Sequence, residues 1–586
     1  LALYYPALSR MYSIVKEPNK AMPLYQRSRQ ITISLLKNNF SILSEKEKSD
    51  YLEKTNSIFN NIAEFSLLYP QFDSLRGLCY NDELILKGLL LSSSRSMIEV
   101  VSESPDRALK NTYWLLSQQR KQISEQLSTP KDERTLNVDS IESAANNTER
   151  KLVKLSSAFA DQQEQFGCKW QDVQKTLKQG EAAIEFVKIK HTILRHDSLK
   201  TDSCSYAALV LKPGDVYPQF IGLCNEESLE KILTRGDEND FDLVGRIYSS
   251  KTENTLYGLI WKPMESALAG CKKVYFAPAG QLHQISFAAI PLPSGKLLSD
   301  EYTLVQLSST RELIRNAGKP LQSLKNAVVY GGINYETDST LITELAVVHN
   351  MDRAEVSEAI SIARGMDVAS AWPYLPGTAT EAENVCALLK KHNIETRQIS
   401  GEKGTEESMK SLTGENAPDI LHIATHGFTV PLGDKNEAYK VFENSFVQNF
   451  NPLFRTGLLF AGANRTWNGG KQIRGIEDGI LTAYEAGQLD LSKTQLVVLS
   501  ACETGLGTVK GSEGVYGLQR AFKAAGVKYI LMTLWTIPDE QTAELMSLFY
   551  GKLASGETIR KSFAYAQNEM KKKYAAYYWA GFVLVE

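Results

Sequence analysis

TQLVVLSACETGLG, residues 494–507, decides how the rest of the chain is read. Four large apolar residues, Leu496 to Leu499, form a run short enough for a strand buried on both faces. The run ends in small residues, one cysteine, an acid and two glycines. Cys502 is therefore either a buried filler at a strand end or a nucleophile held where the chain turns. Gly505 and Gly507 would let the backbone bend sharply after the thiol. A second segment, DILHIATHG (419–427), has the same form and ends in His426 and Gly427. Open α/β sheets bind ligands at the carboxyl ends of their strands, so a His and a Cys at two such ends make a candidate catalytic pair. The imidazole would activate the thiol, and the backbone amides of Gly427 and Cys502 would form an oxyanion hole. The plainer reading keeps its weight, because cysteine is among the most buried residue types.

Outward from these two segments, strands alternate with helices. NAVVYGG (326–332), IETRQIS and YILMTLW read as strands, while GTATEAENVCALLKKH (377–392) and DEQTAELMSLFYGKLASG read as helices. Thr380 with Glu383 has the spacing of a capping box. Residues 429–475 form a long polar insertion with several glycines and asparagines, a candidate mobile activation loop. Earlier, EAAIEFVKIK, SYAALVLKPG, VYPQFIGLC, KKVYFAPAG and YTLVQLS are strands, and TLYGLIWKPMESALAG is helical. Residues 1–165 show only helical spacing. The expected architecture is α + α/β, with a helical repeat-like region at 1–165 followed by two α/β units at 166–312 and 313–586, mainly parallel sheet with flanking helices.

Composition narrows the function. The 586 residues carry 65 basic and 68 acidic side chains, a net charge of -3, which gives no electrostatic case for nucleic acid or an anionic membrane. No run of 18 apolar residues suggests a membrane span. The chain opens inside a helical pattern without an initiator methionine, as expected of a piece of something longer. Seven cysteines are scattered without a CxxC pair, which fits a reducing compartment and offers no zinc ribbon. His422 and His426 form HxxxH, but without the HExxH glutamate the spacing is poor support for a metal. No metal or cofactor is expected.

Several blocks together resemble the CHAT domain family, the caspase-like peptidases associated with tetratricopeptide repeats, within the wider group of caspases, separase, legumain and gingipain. They are APAGQLHQISFAAIPL (277–292), LPGTATEAENV (375–385), ILHIATHGF (420–428), the long block from Glu477 to Trp535, and YYWAGFVLV (577–585). The resemblance covers roughly 170–586. It implies a pseudo-caspase half followed by an active half, with His426 and Cys502 as the catalytic dyad and the amides of Gly427 and Cys502 as the oxyanion hole. His422, about 13 Å back along an extended strand, reads as structural. His283 lies in a non-catalytic motif and reads as packed or hydrogen-bonded, and Cys204 and Cys271 as core. Asp478 and Glu503 are candidate acids of a substrate pocket for a basic P1 residue.

The opening helices also resemble one degenerate tetratricopeptide repeat. Leu8, Tyr12, Ala21 and Tyr25 take its usual positions, and Ser28 stands where alanine is usual. The resemblance implies a bacterial, cytoplasmic cysteine endopeptidase gated by a regulatory protein bound to the helices. An RNA-guided effector and a gasdermin-like substrate are the partners known for branches of the family. The alternative is a non-catalytic scaffold that binds protein partners; a Cys–His hydrolase or transferase of small thioesters is a third.

Overall fold

The computed structural model describes residues 4–129, 134–157, 166–195, 198–249, 255–315, 323–336, 372–430, 451–468, 476–501, 508–509 and 515–586. The helical part opens with α1 (Tyr4–Ile14) and α2 (Pro18–Phe40), an antiparallel pair in which Pro18 starts the second helix at its first turn. Ala21, Tyr25 and Ser28 are buried between them and their neighbours. Next come α3 (Glu45–Leu68), capped by a reciprocal Ser44–Glu47 box, and α4 (Asp73–Leu86). The helical spacing of residues 81–103 is interrupted where Gly88 adopts φ +66, a left-handed conformation that few other residues tolerate, and α5 (Leu89–Glu103) begins after it. α6 (Arg107–Ser128) and α7 (Val138–Ser157) pack on each other.

The helices do not stand apart from the sheet. Tyr25, Phe65, Leu75 and Tyr80 share one apolar core with Ala183, Val187, Leu209 and Tyr275. At this seam the ammonium of Lys87, from the α4–α5 turn, is buried against the Glu185 carboxylate at 2.8 Å and donates to the carbonyls of Phe186 and Ala277. The carboxylate also accepts from Ser309 Oγ, Thr310 N and Thr310 Oγ1.

The strands of the main sheet are β1 (Glu181–Arg195), β2 (Ser198–Leu211), β3 (Gln219–Asn225), β4 (Lys273–Ala277), β5 (Thr303–Gln306), β6 (Asn326–Ile333), β7 (Glu395–Gly401), β8 (Ile420–Ala424), β12 (Leu496–Ser500), β15 (Tyr529–Thr533) and β16 (Phe582–Val585). They form one 11-stranded sheet in the order β3-β2-β1-β4-β5-β16-β15-β12-β8-β6-β7. Pairing is parallel except along β1–β2–β3 and between β15 and β16. A small second sheet joins β9 (Gly427–Thr429), β10 (Thr456–Leu459) and β11 (Ile480–Thr482). A two-stranded ribbon pairs β13 (Thr508–Val509) with β14 (Val515–Tyr516). One face of β8 and β12 packs on the helices Pro376–Lys391 and Asp539–Ala554, and the other on the small sheet and the segment around Phe522. No described helix is long and apolar enough to cross a membrane.

Four expectations change. The helix expected at 377 starts at Pro376, so Thr380 lies inside it and caps nothing. Proline at the first turn fixes the start earlier than the Thr–Glu spacing suggests. Residues 255–270 fold as a short π-turn at Tyr257–Trp261 and a 3-10 turn at Lys262–Met264 instead of a regular helix. The insertion 429–475 is not one loop, since β10 and the helix Ala463–Trp467 are buried parts of the core, while 431–450 and 469–475 lie outside the described residues. Cys204 is half-buried instead of a core residue, whereas Cys271 is buried as expected.

Candidate active site

β8 and β12 are neighbours in parallel register, Val498 opposite His422 and Ser500 opposite Ala424. All their residues are buried, because each strand lies in the middle of the sheet with helices on one face and the small sheet on the other. The chain leaves β8 through Thr425 to His426, and leaves β12 through the buried Ala501. Cys502 and Glu503, the next residues, lie outside the described residues.

His426 is half-buried and held on several sides. Its Nε2 is 2.8 Å from the carbonyl oxygen of Pro373, so that nitrogen carries the proton and Nδ1 is the basic atom. Tyr335 and Trp372 pack against the ring with centroids 5.1 and 5.0 Å away. Trp372 is fixed in turn by Trp467 and by Asn464, whose side chain accepts from the Trp372 amide and donates to the Trp372 carbonyl. Burial pushes the imidazole below its ordinary pKa, against the opposing pull of the Pro373 carbonyl and the Asp539 carboxylate, so the ring is neutral at pH 7. The Tyr335 hydroxyl accepts from the His426 amide and stands 2.8 Å from Thr425 Oγ1.

Gly427 opens β9 opposite Leu458. The Leu459 amide donates to the His426 carbonyl, so Gly427 sits in a non-hydrogen-bonded pair. In that pattern its own N–H points away from β10.

Beneath these strand ends lies a buried polar group. Glu381, from the helix Pro376–Lys391, accepts from Ser500 Oγ at 3.0 Å, and its other oxygen is 3.2 Å from His422 Nε2. His422 Nδ1 is 3.1 Å from the Tyr550 hydroxyl. His422 is thus a fully enclosed structural residue, as its spacing from His426 suggests. Thr533 Oγ1 donates to the Ala501 carbonyl.

Asp478 opens the segment that leads into β11. Its carboxylate accepts from the Ile480 amide, and burial with Glu485 nearby raises its pKa to about 7. It borders a charged cluster in which Lys410 pairs with Glu406, Glu477 and Glu485 at 2.7, 2.8 and 2.9 Å. Burial alone would lower the lysine, but the three carboxylates hold it well above its ordinary range. The same carboxylates have oxygens within 4.8 Å of one another, a spacing a divalent cation could use. Here the Lys410 ammonium supplies the positive charge. Lys121 on α6 reaches Glu477 at 2.9 Å, linking the helical part to the segment that feeds β11. His283 is buried, and burial pushes its pKa down to about 3, so it stays neutral.

A family model described as the CHAT domain matches residues 250–586. The chain belongs to the CHAT domain family. Among curated proteins, tetratricopeptide repeat protein 28 of Mus musculus is 25% identical over 352 residues, covering 56% of this chain but 13% of the relative. Its Homo sapiens counterpart is 24% identical over 348 residues, with the same shares. The match thus spans about an eighth of the length of these relatives. Among solved structures, the Arg specific cysteine proteinase gingipain R is similar at 11% identity and TM-score 0.34, covering 58% of this chain and 68% of that one. The separase chain of the Saccharomyces cerevisiae separase–securin complex is similar at 9% identity and TM-score 0.35, covering 100% of this chain and 49% of that one.

Within the CHAT domain, the strand end that leads to His426 and the strand end that leads to Cys502 are adjacent. Sequence reading missed Pro373, Tyr335 and Trp372 around the imidazole. None carries a signal of its own, because they arrive from 53 to 91 residues away through the fold. Glu381 gave a faint one: an acid on a helix otherwise offering Ala382, Val385 and Leu389 to the core.

Proposed function

We propose that this chain is a cysteine endopeptidase with Cys502 as nucleophile and His426 as general base. The register of β8 and β12 carries the reading. Ala424 and Ser500, at the ends of neighbouring strands about 4.8 Å apart, are paired, and His426 and Cys502 each follow two positions later in sequence. The neutral ring, with its Nε2 proton held by the Pro373 carbonyl, offers Nδ1 to take the thiol proton. The thiolate attacks the scissile carbonyl, and the tetrahedral oxyanion is held by the amides of Gly427 and Cys502. Collapse gives a thioester as His426 protonates the departing amine, and water activated by the same ring hydrolyses the thioester.

The helical part is read as the seat of a regulatory protein, supported by its connections to the CHAT domain, from Lys87 to the Ala277 carbonyl and from Lys121 to Glu477. A digest of a peptide library by the full chain and by Cys502→Ala tests the activity and reports the P1 preference. Cleavage by the first and none by the second is expected. Equal digests, or none from the full chain with or without a bound partner, would return the chain to the scaffold reading.

A further inference from the structure

We propose that Glu381 is a positioning residue, a buried carboxylate clamp that fixes the strand carrying His426 relative to the strand leading to Cys502; this rests on the reading of that pair as a dyad. Glu381 is 3% exposed and projects from a third element, the helix Pro376–Lys391, into the gap between β8 and β12. One of its oxygens accepts a hydrogen bond from the Ser500 hydroxyl at 3.0 Å, two residues before Cys502 in sequence. The other stands 3.2 Å from Nε2 of His422, four residues before His426. The Tyr550 hydroxyl lies 3.1 Å from Nδ1 and holds the ring on its other side.

Packing alone does not explain this arrangement. Burying a carboxylate costs several kcal/mol, and an aliphatic side chain at 381 would satisfy the apolar surroundings of Ala382, Val385 and Tyr550. What a carboxylate adds is geometry. It accepts a hydrogen bond from Ser500 on β12 and lies against the His422 ring on β8, so sliding or splaying either strand disturbs a buried polar contact. A displacement of about 1 Å between nucleophile and base is worth up to about a hundredfold in rate, and Glu381 touches each strand within four residues of the pair. Thr533, donating to the Ala501 carbonyl from β15, steadies the same strand end from the other side.

The test compares Glu381→Gln, Ser500→Ala and Ser500→Thr in the full chain, each first checked for native near-UV circular dichroism. Two quantities are read: kcat and KM on the best peptide from the library, and the iodoacetamide labelling rate at Cys502, followed by peptide mapping. Gln presents one acceptor oxygen where Glu presents two, and Ala removes one donor. Both variants are expected to lose about ten- to a hundredfold in kcat, with KM within about twofold, and to label Cys502 at least threefold more slowly. Thr keeps the hydroxyl and is expected to hold kcat and labelling within about threefold of the parent. The clamp is refuted if Glu381→Gln and Ser500→Ala match the parent in both readouts, or if Ser500→Thr is as slow as Ser500→Ala. Labelling reads the clamp without proteolysis. If no peptide is cut yet labelling follows the expected order, the clamp stands and the endopeptidase reading fails.

Discussion

Replacing Lys87 with Met should open the seam between the helical part and the sheet. The ammonium is 4% exposed and makes three contacts at 2.8 Å, to Glu185 and to the carbonyls of Phe186 and Ala277. Methionine fills a similar volume but leaves the fully buried Glu185 without its cation and two carbonyls without a donor. Breaking a buried pair in this way typically costs 3–5 kcal/mol. Glu185 keeps three donors from Ser309 and Thr310, which places the expected loss at the lower end, about 3 kcal/mol. At 1.4 kcal/mol per tenfold, that is roughly a hundredfold increase in local opening. Hydrogen exchange followed by mass spectrometry reads it directly, through the amides of α4, α5 and the middle of β1. Those amides should exchange about a hundredfold faster, while β8 and β12 change little. The double variant Lys87→Met with Glu185→Gln should recover most of the loss, because the stranded charge is gone. Exchange at the seam within threefold of the parent, or a double variant worse than Lys87→Met, would refute the reasoning.

The same seam should respond to pH. Burial pushes the Glu83 carboxyl up to about 8, so its protonated form favours the folded seam. That contribution is complete below the unfolded carboxyl's value of about 4.3 and is lost as pH rises through about 8. Seam exchange corrected for intrinsic rates should therefore accelerate between pH 5 and 8, and a flat profile would count against it. At the candidate site the shift is in the opposite sense: His426 is held neutral, so the acid limb of kcat/KM should fall below pH 6.5, and a midpoint above 6.5 would contradict the assigned environment. Lys410→Ala strips the cation from Glu406, Glu477 and Glu485 and should lower the thermal midpoint by several degrees. Millimolar Ca²⁺ should restore part of that loss and EDTA should abolish the rescue, while the parent should respond to neither.

Much of the site was legible because β8 and β12 are buried on both faces. Strands in that setting read as short apolar runs, and what interrupts them, HG in one case and AC in the other, stands out. Their adjacency was not legible, since parallel neighbours are joined through distant crossovers and the register of Ser500 with Ala424 leaves no local mark. The small sheet hid for another reason. β9 and β11 are three residues each and β10 is four with a glycine inside, too short to show alternation. The capping spacing of Thr380 and Glu383 misled because Pro376 had already begun the helix. The hydrogen bond from the Ile480 amide to Asp478 and the Lys410 cluster beside it left no mark in the sequence, because Lys410 arrives from about seventy residues away.

The placement of β16 bears on how this protein reaches its native state. Val585 pairs with Gln306, while Ile530 to Thr533 line its other edge, so the strand that unites the two halves is synthesised after every strand it joins. Until it docks, β5 and β15 each present an open edge able to recruit a strand from another chain. Closing a contact across nearly three hundred residues is slow compared with local pairing. The nascent halves are thus expected to be ordered separately, with docking of β16 as the late, rate-limiting event. Chaperone dependence and aggregation should then concentrate in the interval after residue 533 has emerged and before residue 585 is in place.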